Sequence, residues 1–543
     1  PLVLEIQSGL AIVEPRDFDA VQFQVSGRLG YKSGAGPFSL ALKTYKMFSA
    51  YDANQALNEL DQVFPLREPL LAPLGYYQAI AKNILCQLIF YKTPKKLDVA
   101  LLKKVSSLMG TCPLLLLNEV ISDTKRDLLS PHMTQLIKNN APLAPLMIEN
   151  YFEPITDFHL ITELVLMGIK LQKLPNQIAS CTRLKKLSLC QNQFQCIPPE
   201  IERFSALESL NFEENKDLNS LKNIEHLTNL TELLLACNKI ETFPPEIKPL
   251  TNLKFLRLVH SEISEIPETM GCLTNLRVLL LETNKIKAIP STISSFSHLQ
   301  CLNLSNNQLT SIPLELFQNC TQLVNLHLGN NQINPILNEI GKLTHLTALN
   351  LSKNQILEIP NEIGKLAKLT LLDLSENQIS EIPNKVGKLT HLFHLKLDHN
   401  QISEIPATIG GLSNLRELFL QINTIKALPS TISSFTHLQE LNLGGNQLSS
   451  IPPELFQNCI RLKTLHLWDN QINSIPEEIG KLTNLTMLNL SMNAISTIPF
   501  ALTQCSNLTE IWLRHNRLAK YPFAIEEFFC EKKEHCNFRA DRL

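Results

Sequence analysis

The sequence carries no excess of charge of either sign: its formal net charge is −2 and its pI about 6.8. A chain so balanced lacks the basic footprint of a nucleic-acid binder, so no nucleic-acid partner is expected. It also lacks any run of 18 apolar residues, so neither a spanning helix nor membrane insertion is expected. No Ser/His/Asp or Cys/His constellation stands out, and no catalytic residue is assigned. The stretch nearest to a phosphate loop, GRLGYKS at 27–33, has Tyr31 where a glycine should precede Lys32, and it reads as a plain turn. Thirteen cysteines are an odd number for a disulfide framework, and most stand alone: Cys181, Cys272, Cys301, Cys320, Cys459 and Cys505. Isolated thiols read as small apolar fillers in a reducing compartment. Cys530, His535 and Cys536 lie close together but lack a fourth ligand and the usual spacing, so neither metal nor cofactor is expected. The chain begins at Pro1 rather than Met, which reads as a fragment with room for a targeting segment ahead of it.

What the chain has in abundance is repetition. One Asn recurs at a spacing of 23 residues, now and then 24: Asn192, Asn215, Asn238, Asn284, Asn307, Asn331, Asn354, Asn377, Asn400, Asn423, Asn446, Asn470, Asn493 and Asn516. Ile169 and Ser261 fill the two missing places and bring the count to sixteen coils. Around each sits the frame L-x-x-L-x-L-x-x-N-x-[LIF]-x-x-[IL]-P. In LTALNLSKNQILEIP, Leu346, Leu349 and Leu351 point to one side of a short strand, and Ala348, Asn350 and Ser352 to the other. Such a strand is too short to stand alone and must stack on copies of itself. The Asn amide is placed to satisfy buried backbone groups of neighbouring coils. Pro then biases the return arm to an extended start, followed by a short helical turn through segments such as 361–366.

This frame is that of the leucine-rich repeat superfamily, which the chain resembles over 160–525. The variant with a Leu/Asn/Ile-Pro coil of 23 residues is similar to repeats of Ras-interacting scaffolds, plant intracellular proteins and many bacterial proteins. The resemblance implies an α/β solenoid, a curved parallel sheet on the concave face backed by the return arms. The solenoid is assigned to 156–525 and a short C-terminal cap to 526–543. Residues 1–155 break the period and read as a mainly helical domain that covers the first coil. DANQALNELDQVF there is amphipathic, with Asp52 as N-cap.

A longer period overlies the short one. STISSFSHLQCLNLSNNQLTSIPLELFQNC begins at Ser291, and STISSFTHLQELNLGGNQLSSIPPELFQNC begins 139 residues later at Ser430. A block of six coils was duplicated in tandem, with its one long coil at ELFQNC.

A solenoid of this kind binds proteins, so the variable outward strand positions are the candidate partner-binding residues. Both Trp of the chain fall there, Trp468 and Trp512, two coils apart, with His466 and Arg514 beside them and Phe419 nearby. Phe255, Arg257 and Leu280, together with Leu234 and Val259, form a second apolar group. His298, His345, His391 and His437 share one framework position and read as structural. Asn303, Asn350 and Asn489 lie in glycosylation triplets on the concave strands, which argues against eukaryotic secretion. The expectation is a monomeric, cytoplasmic, non-enzymatic interaction module with a protein partner. Near-identical coils resemble those of bacterial repeat proteins, which implies an effector delivered into a host cytoplasm. An endogenous signalling scaffold, or an enzyme in 1–155 targeted by the repeats, are the alternatives.

Overall fold

The computed structural model describes residues 161–518 except 169 and 175, together with the backbone of two short strands at 2–6 and 537–539. The helical reading of 1–155 and the Cys530, His535 and Cys536 group lie outside the described residues. The chain divides into two compact units, Pro1–Lys239 and Ile240–Leu543.

In the first unit, β1 (Leu2–Ile6), β2 (Ile161–Leu166), β3 (Lys186–Ser188), β4 (Ser209–Asn211) and β5 (Glu232–Leu234) pair in that order, all parallel. Phe194 and Phe212 meet edge to face inside this unit, with ring centroids 5.4 Å apart.

The second unit carries thirteen strands, paired in chain order and all parallel. They are β6 (Phe255–Arg257), β7 (Val278–Leu280), β8 (Cys301–Asn303), β9 (Asn325–His327), β10 (Ala348–Asn350), β11 (Leu371–Asp373), β12 (His394–Lys396), β13 (Glu417–Phe419), β14 (Glu440–Asn442), β15 (Thr464–His466), β16 (Met487–Asn489), β17 (Glu510–Trp512) and β18 (Asn537–Arg539). Register is constant, so each central Leu meets the next: Leu349 pairs with Leu372, and Leu372 with Leu395. These central side chains are buried and their neighbours on either side half-exposed, as alternation requires.

After each strand the chain turns through a residue in the left-handed region, the one just before the ladder Asn. Glu376, His399 and Ile422 have φ of 52°, 54° and 55°. The turn is made one residue before the Asn, and this aims the Asn side chain back into the coil. The return arm then opens on extended Pro, for example Pro383 at φ −67° and ψ 144°. A single tight turn follows, such as Asn384–Lys388 with Val386 buried. A side chain at Gly387 would collide with the Thr408 carbonyl oxygen, so glycine lets adjacent turns stack closely. The two long coils spend their extra residue here. Their arms form helices α1 (Leu314–Asn319) and α2 (Pro453–Asn458), which bury a Leu and a Phe each where the shorter turns bury one main anchor.

Candidate functional site

Each ladder Asn ties two coils together. Asn377 Nδ2 donates to the carbonyls of Leu374 (3.0 Å) and Ser375 (3.1 Å) in its own coil and of Leu351 (3.0 Å) one coil back. Its Oδ1 accepts the Ile356 N–H at 3.0 Å. The same pattern runs from Asn192, whose Oδ1 accepts Leu171 N–H, to Asn516, whose Oδ1 accepts Ile495 N–H. Asn238 differs, since its Oδ1 accepts from Asn215 N–H. At Ser261 the side chain is too short for this geometry. It is buried, and its hydroxyl has no hydrogen-bond partner.

A second ladder runs along the position before the frame Leu. Asn275, Asn414 and Asn484 donate to carbonyls 24 residues earlier, those of Thr251, Thr390 and Ile460. His345 and His437 make the equivalent contacts, to Thr321 and Ser413 carbonyls, so these histidines have a structural task. The sequence singled out the His at this position but not the Asn that do the same work.

The open face of the sheet divides into residues with local tasks and residues without. At the middle outward position, Asn303, Asn350, Asp373, Asn442 and Asn489 each accept through Oδ1 the backbone N–H two residues on. This cap meets a donor that would otherwise be left at the strand exit. With Asn211, which caps Glu213 N–H in the same way, six outward positions are thus engaged in the fold. The signal was present in the sequence, an Asx at the last residue of the strand.

Elsewhere on the face, Phe255 and Arg257 lie on β6, and Arg257 stands in register with Leu280 on β7. Val259 does not belong with them. It is only 2 % exposed and forms part of the core. Leu234 lies on β5 in the first unit.

On β12 to β14 the face is charged. His394 Nδ1 lies 2.7 Å from Glu417 Oε2, and Glu417 is in register with Glu440. Burial, together with the charge of Glu417, pushes the Glu440 carboxyl above its ordinary range, while Lys396 pulls it down. The Lys396 ammonium stands over the Phe419 ring, 5.7 Å from its centroid.

The two Trp are held differently. Trp512 Nε1 donates to Glu510 Oε1 at 2.7 Å on the same strand. Trp468 lies over Gly444, where any Cβ would collide with Cε2, Nε1 and Cδ2 of the indole. It therefore leans toward the coil before its own, whereas Trp512 belongs to the second coil after. Asn489 on the intervening β16 separates His466 from Trp512 in register. The two indoles are thus held by different local contacts, one on a glycine and one by a carboxylate. Arg514 is exposed. His466 and His327 are half-buried, and burial pushes both imidazoles below their usual value, against the opposing pull of Glu510 and Glu282.

The buried thiols of Cys181, Cys320 and Cys459 are pushed up to about 12, so they are protonated and poor nucleophiles at neutral pH. All nine cysteines among the described residues are free. Among those residues, no group of three or more His, Cys, Asp or Glu gathers in a way that would hold a metal ion. No helix there is long and apolar enough to cross a membrane.

Comparison with known families places a leucine-rich repeat region at 236–333 and 326–426, a leucine rich repeat at 460–518, and a two-copy leucine rich repeat at 436–481. No curated protein matches the chain. A leucine-rich repeat protein of Leptospira interrogans is 33% identical, with a TM-score of 0.65 over 70% of this chain and 96% of that one. The ectodomain of the Arabidopsis thaliana receptor kinase GASSHO1/SCHENGEN3, in complex with Casparian strip integrity factor 2, is 28% identical. Its TM-score is 0.60, covering 71% of this chain and 51% of that chain. The plant peptide hormone receptor RGFR1 in complex with RGF2 is 25% identical, with a TM-score of 0.58 over 70% and 69%.

Proposed function

The chain belongs to the leucine-rich repeat family, and from that premise we propose that it is a non-enzymatic module that takes a protein partner on the concave, open face of its sheet. One observation carries this reading. The duplicated coils keep their buried Leu, Asn at five of six ladder positions and the Asx caps Asn303/Asn442 and Asn350/Asn489, while other open-face residues diverge: Phe255, Val278 and Leu371 in one copy stand where His394, Glu417 and Glu510 stand in the other. Positions that the frame does not require are where a partner is chosen. The receptors of similar fold are named with the protein or peptide each one binds.

Trp512 and Trp468 are the proposed anchors in the later copy, with Arg514, His466 and Phe419 around them. Phe255, Arg257 and Leu280 are the proposed contacts in the earlier one. The free thiols fit a reducing compartment. A similar protein from Leptospira interrogans fits a bacterial source, and the context we favour is delivery into a host cytoplasm.

The test is affinity capture from bacterial and eukaryotic lysates with the full chain and with open-face variants, followed by binding measurements on whatever protein is captured. Trp512→Ala or Trp468→Ala should weaken that protein by ~2 kcal/mol or more. Captured proteins that bind all open-face variants as tightly as wild type, yet are lost on substituting Lys365 and Lys388 in the return turns, would overturn the reading.

A further inference from the structure

The open face of β13 to β15 differs from its duplicated counterpart in a coordinated way. In the earlier copy the in-register pair on β7 and β8 is Val278 and Cys301, neutral and compatible. In the later copy the same places hold Glu417 and Glu440, two carboxylates directly opposite each other. Like charges so placed destabilise a sheet. Glu417 has His394 at 2.7 Å, but among the described residues no group donates a hydrogen bond to the Glu440 carboxylate. Lys396 stands over the Phe419 ring beside the pair and acts on Glu440 through its charge without a hydrogen bond.

A second change is independent of charge. Ser305 and Gly329 of the earlier copy correspond to Gly444 and Trp468 of the later. The serine has gone from the place where the indole lies, so the two substitutions make one seat, and Trp468 remains partly exposed upon it. Carboxylates without enough cations and aromatic rings held face-on to a surface call for the same ligand chemistry, a planar cation. Glu440 opens β14 and Gly444 lies two residues past its end, so their backbones stand at most ~13 Å apart, the reach of about four extended residues.

We propose that this patch docks an extended, arginine-bearing segment of the partner protein, one guanidinium paired to Glu417 and Glu440 over Phe419 and a second stacked on Trp468. The inference rests on the open-face reading above and adds the chemistry of the occupant. Charge complementarity favours arginine over an apolar or acidic segment. Guanidinium is also preferred to ammonium, because its plane matches both carboxylate and ring.

The experiment is selection of random twelve-residue peptides displayed on phage against the immobilised full chain. Selected peptides are then synthesised, and their binding is measured on wild type, Glu417→Gln/Glu440→Gln, Trp468→Ala, and Lys365→Ala/Lys388→Ala in the return turns. Thermal melts confirm that each variant is folded. Enriched peptides should carry arginine, and replacing it with citrulline should weaken them by ~10-fold or more, as should the Glu417/Glu440 and Trp468 variants. The return-turn variant should bind as wild type does. Peptides without basic residues that are nonetheless lost with the Trp468 variant would overturn this proposal and leave the open-face reading standing. No enrichment, or binding indifferent to every open-face variant, would count against both.

Discussion

Strands β6 to β11 and strands β12 to β17 are two printings of one scaffold, and they differ almost wholly on one side. Inward, Leu256, Leu279 and Leu302 answer to Leu395, Leu418 and Leu441, and all are buried. Outward, the earlier printing shows Phe255, Val278, Ala348 and Leu371, and the later shows His394, Glu417, Met487 and Glu510. The outward residues that do persist have a reason. Asn303 and Asn442, like Asn350 and Asn489, cap a backbone N–H in both. Burial and hydrogen bonding thus hold a position constant, and a side chain relieved of both is open to change. The comparison also separates a change that needs no accommodation from one that does. Glu417 stands where Val278 does, on a backbone that needs no opening, whereas Trp468 lies where only Gly444 leaves room.

The largest effect should come from the ladder. Asn377 is 8% exposed, and its counterpart Asn516 is half-buried near the end of the described coils. Asn377→Ala should cost ~1–3 kcal/mol by orphaning buried backbone groups. Asn516→Ala should cost measurably less, because water can replace its amide. Equal shifts of the denaturation midpoint would deny that burial sets the value of these bonds.

Next comes the indole seat. Gly444→Ser restores the residue of the earlier copy and should cost ~1–3 kcal/mol, since the indole has nowhere to move without losing its support. Adding Trp468→Gly should recover most of that loss. A double-mutant cycle with no coupling would mean that the two positions changed independently.

A gain of ~1 kcal/mol is expected from Ser261→Asn, which copies Asn400 of the later block into the earlier. Calorimetric melting of this variant below wild type would show that the coil around Ser261 has closed on the shorter side chain.

The smallest effect concerns pH. The folded state holds the Glu440 proton more tightly than the unfolded chain does. The ionised carboxylate therefore lowers stability above its titration range, and the deficit fades as pH falls through that range. Glu440→Gln should melt slightly above wild type at neutral pH and level with it near the lower end of carboxylate titration. A gap that widens on acidification would reverse the assigned sign.

The spacing of Asn and Leu was enough to read the coil, the parallel stack and the return turn, because each of these is imposed by burial at a fixed period. The left-handed residue before each Asn was hidden, since Glu376, His399 and Ile422 share no composition that marks such a conformation. Asn442 passed for a variable residue because the N–H that it caps, that of Gly444, is visible only once the strand end is placed. Alternation correctly put Trp468 on the outward face. Its lean toward Gly444 depended on the neighbouring coil. Val259, at the same repeat position as Trp468, is core instead, because a small apolar side chain there is covered where an indole is not.

Each ladder amide reaches one coil back and no farther: Asn377 to Leu351 and Ile356, Asn470 to Leu443 and Leu448. None of these ties waits for a distant part of the chain, so order can begin at any pair of coils and spread outward in either direction. The same short reach makes lengthening harmless. A block of whole coils inserted between two others presents each neighbour with the edge it already had. Size in such a molecule is an inherited variable set by recombination between near-identical stretches, and the 139-residue repeat records one step of it.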